Sequence, residues 1–151
     1  MSDDLPSDVQ KGLDGFHTIT SLPVQWGDMD AFGHVNNVVY IRWFESARID
    51  LLESLQSAVT MQPGGIGPIL ASIKCDYKRQ LHFPDTVHIG SRCQRVGRSS
   101  ADVEHAVFSQ QQQQQIVATG TSVLVVFDYN LNRPVRIPDD LRRALQATTS
   151  D

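Results

Sequence analysis

No stretch of this sequence stays apolar for the roughly 18 residues that a membrane-spanning helix needs. Its opening residues, Met1–Gly12, are acidic and polar and lack the apolar core of a secretory leader. These absences lead to the expectation of a cytoplasmic protein that does not enter membranes. Cysteine is scarce. Cys75 and Cys93 are the only two, and in strand-like surroundings without an export signal they are expected to be free thiols. Positive charge is in deficit, with 13 Lys and Arg against 17 Asp and Glu and a formal charge of −4, which argues against a general nucleic-acid binder. No Walker loop, G-x-G-x-x-G or G-x-S-x-G element is present. What remains is a chain of 151 residues, 40% apolar and 20% charged, the size and composition of one globular domain.

The charge is unevenly spread. Asp3, Asp4, Asp8 and Asp14 against Lys11 make residues 1–15 acidic, and that segment reads as a flexible tail ahead of a single domain at 16–147. Residues 74–98 hold Lys74, Lys78, Arg79, Arg92, Arg95 and Arg98 against only Asp76 and Asp85. Such a segment is either a solvated strand face or a surface for a small polyanion.

The hydrophobic period divides the chain into elements. His17–Gln25 reads as a first strand, and Trp26–Asn36 as a turn-rich loop. From an N-cap at Asn36 or Asn37, the residues Tyr40, Phe44, Ala47, Leu51 and Leu55 recur at helical spacing. They predict a core helix of roughly five turns. Met61–Pro68 reads as a glycine- and proline-rich loop. After it the period becomes two, with Ile69, Ala71, Ile73, Cys75 and Tyr77 on one strand face. Strands are expected at Val87–Val96, Asp102–Phe108 and Ile116–Phe127, the last inside a sheet. A loop follows over Asp128–Pro138, then a short helix from Asp139. The tract Gln110–Gln115 is either an interaction element or an expanded hairpin loop. Short connections favour antiparallel neighbours among the last four strands. The fold class is α+β, one long helix held against the concave face of a curled antiparallel sheet.

Chemistry concentrates in Gln25–Arg48, QWGDMDAFGHVNNVVYIRWFESAR. Two carboxylates (Asp28, Asp30), an imidazole (His34) and two amides (Asn36, Asn37) precede or open the helix. A helix start offers unpaired N–H groups and partial positive charge, which suit a carbonyl oxygen and the oxyanion formed when it is attacked. A nearby carboxylate supplies a nucleophile or a general base. Both aspartates are equally open to reading as caps or turn anchors, Asp28 the more so. Without a fourth ligand at recognisable spacing, Asp28, Asp30 and His34 are not expected to hold a metal.

The string GDMDAFGHVNNVVYIRWFESAR closely resembles the N-terminal motif of hotdog-fold acyl-CoA thioesterases of the 4-hydroxybenzoyl-CoA thioesterase type. The resemblance extends over about residues 17–128. It implies a curved antiparallel sheet wrapped around one long helix, and hydrolysis of an acyl-CoA to free acid and CoA. Carried onto this sequence, it implies Asp30 as nucleophile or general base and an Asn37 backbone N–H that polarises the thioester carbonyl. It places His34 in a supporting catalytic role and Glu45 as an acid on the helix, partly buried at the substrate or at a wet edge. Lys78, Arg79 and Arg98 become candidates for the CoA phosphates. No cofactor is implied beyond the CoA of the substrate. The resemblance also implies a homodimer or tetramer with sites at subunit interfaces. A hydratase or dehydratase on the same fold and a non-catalytic acyl-CoA binding module are the alternatives.

Overall fold

The computed structural model describes residues 4–55 and 64–149, so Met61–Pro63 of the expected glycine- and proline-rich loop lie outside the described residues. In chain order the elements are α1 (Ser7–Gly12), β1 (Thr18–Pro23), α2 (Asn37–Ser54), β2 (Ile66–Tyr77), β3 (Thr86–Val96), β4 (Ser100–Ser109), β5 (Ile116–Asp128), β6 (Arg133–Pro134) and α3 (Asp139–Gln146). The sheet runs β1-β3-β4-β5-β2, with the two-residue β6 added to β5. Every strand pairing in it is antiparallel. This is the hotdog arrangement, a curled sheet around one helix. No described helix is long and apolar enough to cross a membrane.

Asn36 caps α2 as its type predicts, its side-chain oxygen accepting from the Val38 N–H at 3.0 Å. The helical stripe then buries Tyr40, Phe44, Ala47 and Leu51 against the sheet. Phe44 comes closest. Its ring stacks on His105 of β4 with centroids 4.8 Å apart, and a Cβ at Gly120 of β5 would sit 2.4 Å from its Cε2. Only glycine lets helix and sheet approach this far. Beneath α2 a buried polar chain crosses the sheet. His105 bonds Ser91 through Nδ1 and Ser122 through Nε2, and Arg48 donates to Ser122 at 3.1 Å. Burial, with the Arg48 charge beside it, pushes the His105 pKa down to about 3.

Four expectations need correction. Residues 7–12 are not a loose tail but a helix, because Val9 and Leu13 lie one turn apart and bury against Ala106 and Phe108. β2 pairs with β5 rather than with its sequence neighbour β3, since residues 78–85 carry the chain across the sheet before β3 begins. The register of β2 slips between Leu70 and Ser72, so its alternation is reset: Ile73 and Cys75 pack against the core under α2 while Ile69 and Leu70 face outward. Part of the expected loop, Ile66–Pro68, already belongs to β2. Cys75 and Cys93 are free thiols, and burial raises the pKa of each, Cys93 to about 11.

Candidate active site

The chain reaches α2 through one 3₁₀ turn, Trp26–Asp28, and a tight loop. Asp28 is the anchor of that turn. Its buried carboxylate accepts from the Gln25 N–H at 2.8 Å and from the Arg42 guanidinium at 2.9 Å, while its carbonyl accepts from Asn36 N. Both oxygens are occupied by structure, and this acid has no room for chemistry.

Asp30, two residues on, is the opposite case. Its Oδ1 accepts from the Phe32 N–H at 2.9 Å, a local turn bond that aims the carboxylate and leaves it facing solvent. Backbone bonds close the loop around it, Asp30 N to the His34 carbonyl and Gly33 N to the Asp30 carbonyl. Gly33 holds φ 81°, the left-handed conformation that completes this turn.

Asn37 is the first residue of α2, where no intrahelical carbonyl lies behind the N–H. Its own carbonyl accepts from the Tyr77 hydroxyl at 2.8 Å. Partial desolvation, followed by the neighbouring Cys75 thiol, pushes the Tyr77 pKa up to about 12, so the phenol keeps the proton it donates. Tyr40 packs edge-on against Tyr77, centroids 5.0 Å apart, and closes the inner wall.

Asp30, His34 and Asn37 line one open pocket of about 410 Å³ with Phe32, Tyr40, Tyr77, Lys78 and Arg79. The two cations are held there by backbone, since Lys78 N and Arg79 N both donate to the Val117 carbonyl of β5. Five of the seven residues to which the family resemblance gives a role in catalysis or substrate binding therefore meet in one place. Glu45 does not line the pocket and is exposed on α2. Arg98 does not line it either. Arg98 sits in the β3–β4 turn, its carbonyl accepting from Ile137 N and from Arg142, at the opposite end of strands that span about 30 Å.

Sequence reasoning missed Arg42, His82 and the two tyrosines. Arg42 was detectable in principle, as a cation one turn into a helix entered through an acid-rich loop. His82 carried no such signal. Its Nδ1 donates to the Gly33 carbonyl at 2.8 Å, and its ring meets that of His34 with centroids 4.9 Å apart. A larger groove of about 920 Å³ runs along β1 and α2. None of its lining residues belongs to the first turn of α2, and its Asp50 already accepts from Thr20.

Residues 24–145 match the family model described as the thioesterase-like superfamily, a span that takes in the Asp28 turn, α2, the whole sheet beyond β1 and most of α3. The chain belongs to that superfamily. At the level of the family it is a thioester hydrolase. It is 27% identical to the long-chain acyl-CoA thioesterase FadM of Escherichia coli over 127 residues, covering 84% of this chain and 96% of FadM. Among solved structures it resembles a Pseudomonas aeruginosa PAO1 protein at 33% identity and TM-score 0.79, covering 92% of this chain and 96% of that one. A Thermus thermophilus thioesterase solved with coenzyme A and Zn is 30% identical with TM-score 0.75, covering 89% of this chain and 96% of that one. The α+β hotdog fold expected from sequence is thus that of the superfamily.

Proposed function

We propose that this protein hydrolyses acyl-CoA thioesters to free acid and CoA in the pocket at the N-terminus of α2. One observation carries the reading: the Asp30 carboxylate and the first-turn N–H of Asn37 line the same pocket. The thioester carbonyl oxygen accepts from Asn37 N–H, with the α2 dipole behind it. Asp30 then attacks the acyl carbon or takes a proton from the attacking water. The C–S bond breaks, CoA leaves as the thiol, and water supplies the oxygen of the free acid. His34 supports the carboxylate through its carbonyl, which holds the Asp30 N–H. Lys78 and Arg79 line the same pocket, and their charges suit the CoA phosphates. The CoA-bound relative from Thermus thermophilus and the long-chain acyl-CoA relative from Escherichia coli support this substrate class.

The working unit is a homodimer or tetramer. β2 is a 12-residue strand at the sheet edge, with Ile66, Ile69, Leu70 and Tyr77 exposed. Such an edge is a template for a second copy, which would also cover the open side of the pocket at Tyr77. Light scattering is expected to give twice or four times the monomer mass, and a fully active monomer would refute this assembly.

Asp30→Asn decides the catalytic reading. The variant is expected to fold, to bind CoA within a few-fold of the parent and to lose about 10²-fold or more in kcat. Undiminished turnover would remove Asp30 from the chemistry. A parent protein that binds acyl-CoA without hydrolysing it would be the binding module instead.

A further inference from the structure

The glutamine tract Gln110–Gln115 forms the hairpin between β4 and β5, as one of its two readings requires, yet its side chains are not spare. Gln112 uses both ends of its amide. Its Oε1 accepts from the His82 N–H at 2.9 Å, and its Nε2 donates to the carbonyls of His82 at 2.6 Å and Pro84 at 2.8 Å. One side chain thus satisfies three backbone groups of the 80–85 segment, which lies outside the sheet ladder and has no strand partner to do so. Nearby, Gln111 N donates to the buried Asp85 carboxylate and Gln110 N to the Thr86 carbonyl. Gln111, Gln114 and Gln115 are exposed, and their side chains make none of these bonds.

The other side of the same segment holds the Asp30 loop. The Leu81 carbonyl accepts from Val35 N at 2.8 Å, and Phe83 N donates to the Met29 sulfur at 3.5 Å. His82 bonds the Gly33 carbonyl and packs against the His34 ring. Residues 29, 33, 34 and 35 bracket Asp30 on both sides. The route from Gln112 to the carboxylate is therefore short and continuous: amide, His82 backbone, Gly33 carbonyl, Asp30 turn. The Lys78–Arg79 wall does not depend on it, being tied to Val117 independently.

We propose that Gln112 is a positioning residue for the thioesterase reaction, clamping the His82 segment so that it holds the Asp30 carboxylate in register with the N-terminus of α2. The assignment rests on the role given to Asp30 above. Because the clamp acts on the reacting end of the pocket and not on the cation wall, its loss falls on kcat and spares KM.

The test uses the full chain and a long-chain acyl-CoA. Gln112→Ala is expected to lower kcat about 10-fold with KM within about twofold, while Gln115→Ala leaves both unchanged. Gln112→Glu is nearly isosteric but presents a carboxylate, with no N–H, to two carbonyls, so its loss should equal or exceed that of alanine. A glutamine that merely filled space would tolerate glutamate. If Gln112→Ala does not fold, Gln112→Met keeps the volume, loses the amide and carries the same expectation. A second readout needs no turnover. Imidazole NMR signals of His82 and His34 should move in the Gln112 variants and stay fixed in Gln115→Ala. Full kcat and unmoved imidazole signals in Gln112→Glu would overturn the proposal. Failure of the Asp30 reading shows separately, as undiminished kcat in Asp30→Asn.

Discussion

At its first turn one face of α2 stands in water. Val38 is 70% exposed, Phe32 in the loop before the helix is 85% exposed, and the pocket opens between Phe32 and the cations just past β2. At its last turns one face of the same helix is packed, while Asp50, Glu53 and Ser54 on the other line the groove along β1. Leu51 is fully buried, Leu52 nearly so, and both pack with Val103 and Leu124. Beyond them Leu55 joins the cluster in which α3 places Leu141 and Leu145 over Cys93, Ala101 and Val126. Around the N-terminus Phe32 and Val38 stay exposed while Val39 and Tyr40 turn into the core, and the Asn37 N–H has no intrahelical carbonyl behind it. A single helix therefore sets the proposed site apart from a packed cluster along its own length, and substitutions at its two ends should separate the same way.

The largest effect belongs to the packed end. Leu51→Ala removes a fully buried side chain from a packed cluster and should cost about 2–5 kcal/mol in equilibrium denaturation, with the spread set by how far the cavity collapses. The kcat and KM of the protein that remains folded should be those of the parent. A tenfold fall in kcat for folded Leu51→Ala would mean that the two ends are not separable after all.

That division was only half visible in the residues themselves. The helical stripe from Tyr40 to Leu51 was legible because a 3.6-residue period repeats over several turns, and Asn36 was legible as a cap because its side chain acts locally. α1 was obscured, since its buried Val9 and the buried Leu13 at its C-cap sit among acidic residues that suggest disorder. The slip at Ala71 and the pairing of β2 with β5 depend on partners far along the chain and leave no local trace. At the site, Asp30 and Asn37 were legible through the pattern around them. The difference between Asp28 and Asp30 was partly legible, because alternate residues of an extended segment face opposite ways. Gln112 was not, because six identical residues carry no mark of which one finds the His82 backbone.

The cations give the finest form of the comparison. Lys78 and Arg79 lie at the open end, on the pocket that holds Asp30, whereas Arg98 lies at the far end of β3 beside α3. Composition placed all three in one basic segment, but the strand between them sends Arg98 away. If Lys78 and Arg79 meet the CoA phosphates, replacing either with Ala should raise KM about 3- to 30-fold and leave kcat nearly constant, because contacts remote from the reacting carbonyl are equal in ground and transition states. These side chains are exposed, so the KM of the parent should also climb with salt. An acyl-pantetheine substrate lacks the nucleotide phosphates, and against it the two variants should match the parent. Arg98→Ala should leave KM within about twofold on either substrate. Steady-state kinetics on acyl-CoA and acyl-pantetheine at two ionic strengths read all of this at once. A KM rise for Arg98→Ala on acyl-CoA alone would return Arg98 to the ligand, supplied to the pocket by a second copy of the chain. Equal losses for Lys78→Ala on both substrates would make that lysine part of the pocket wall and nothing more.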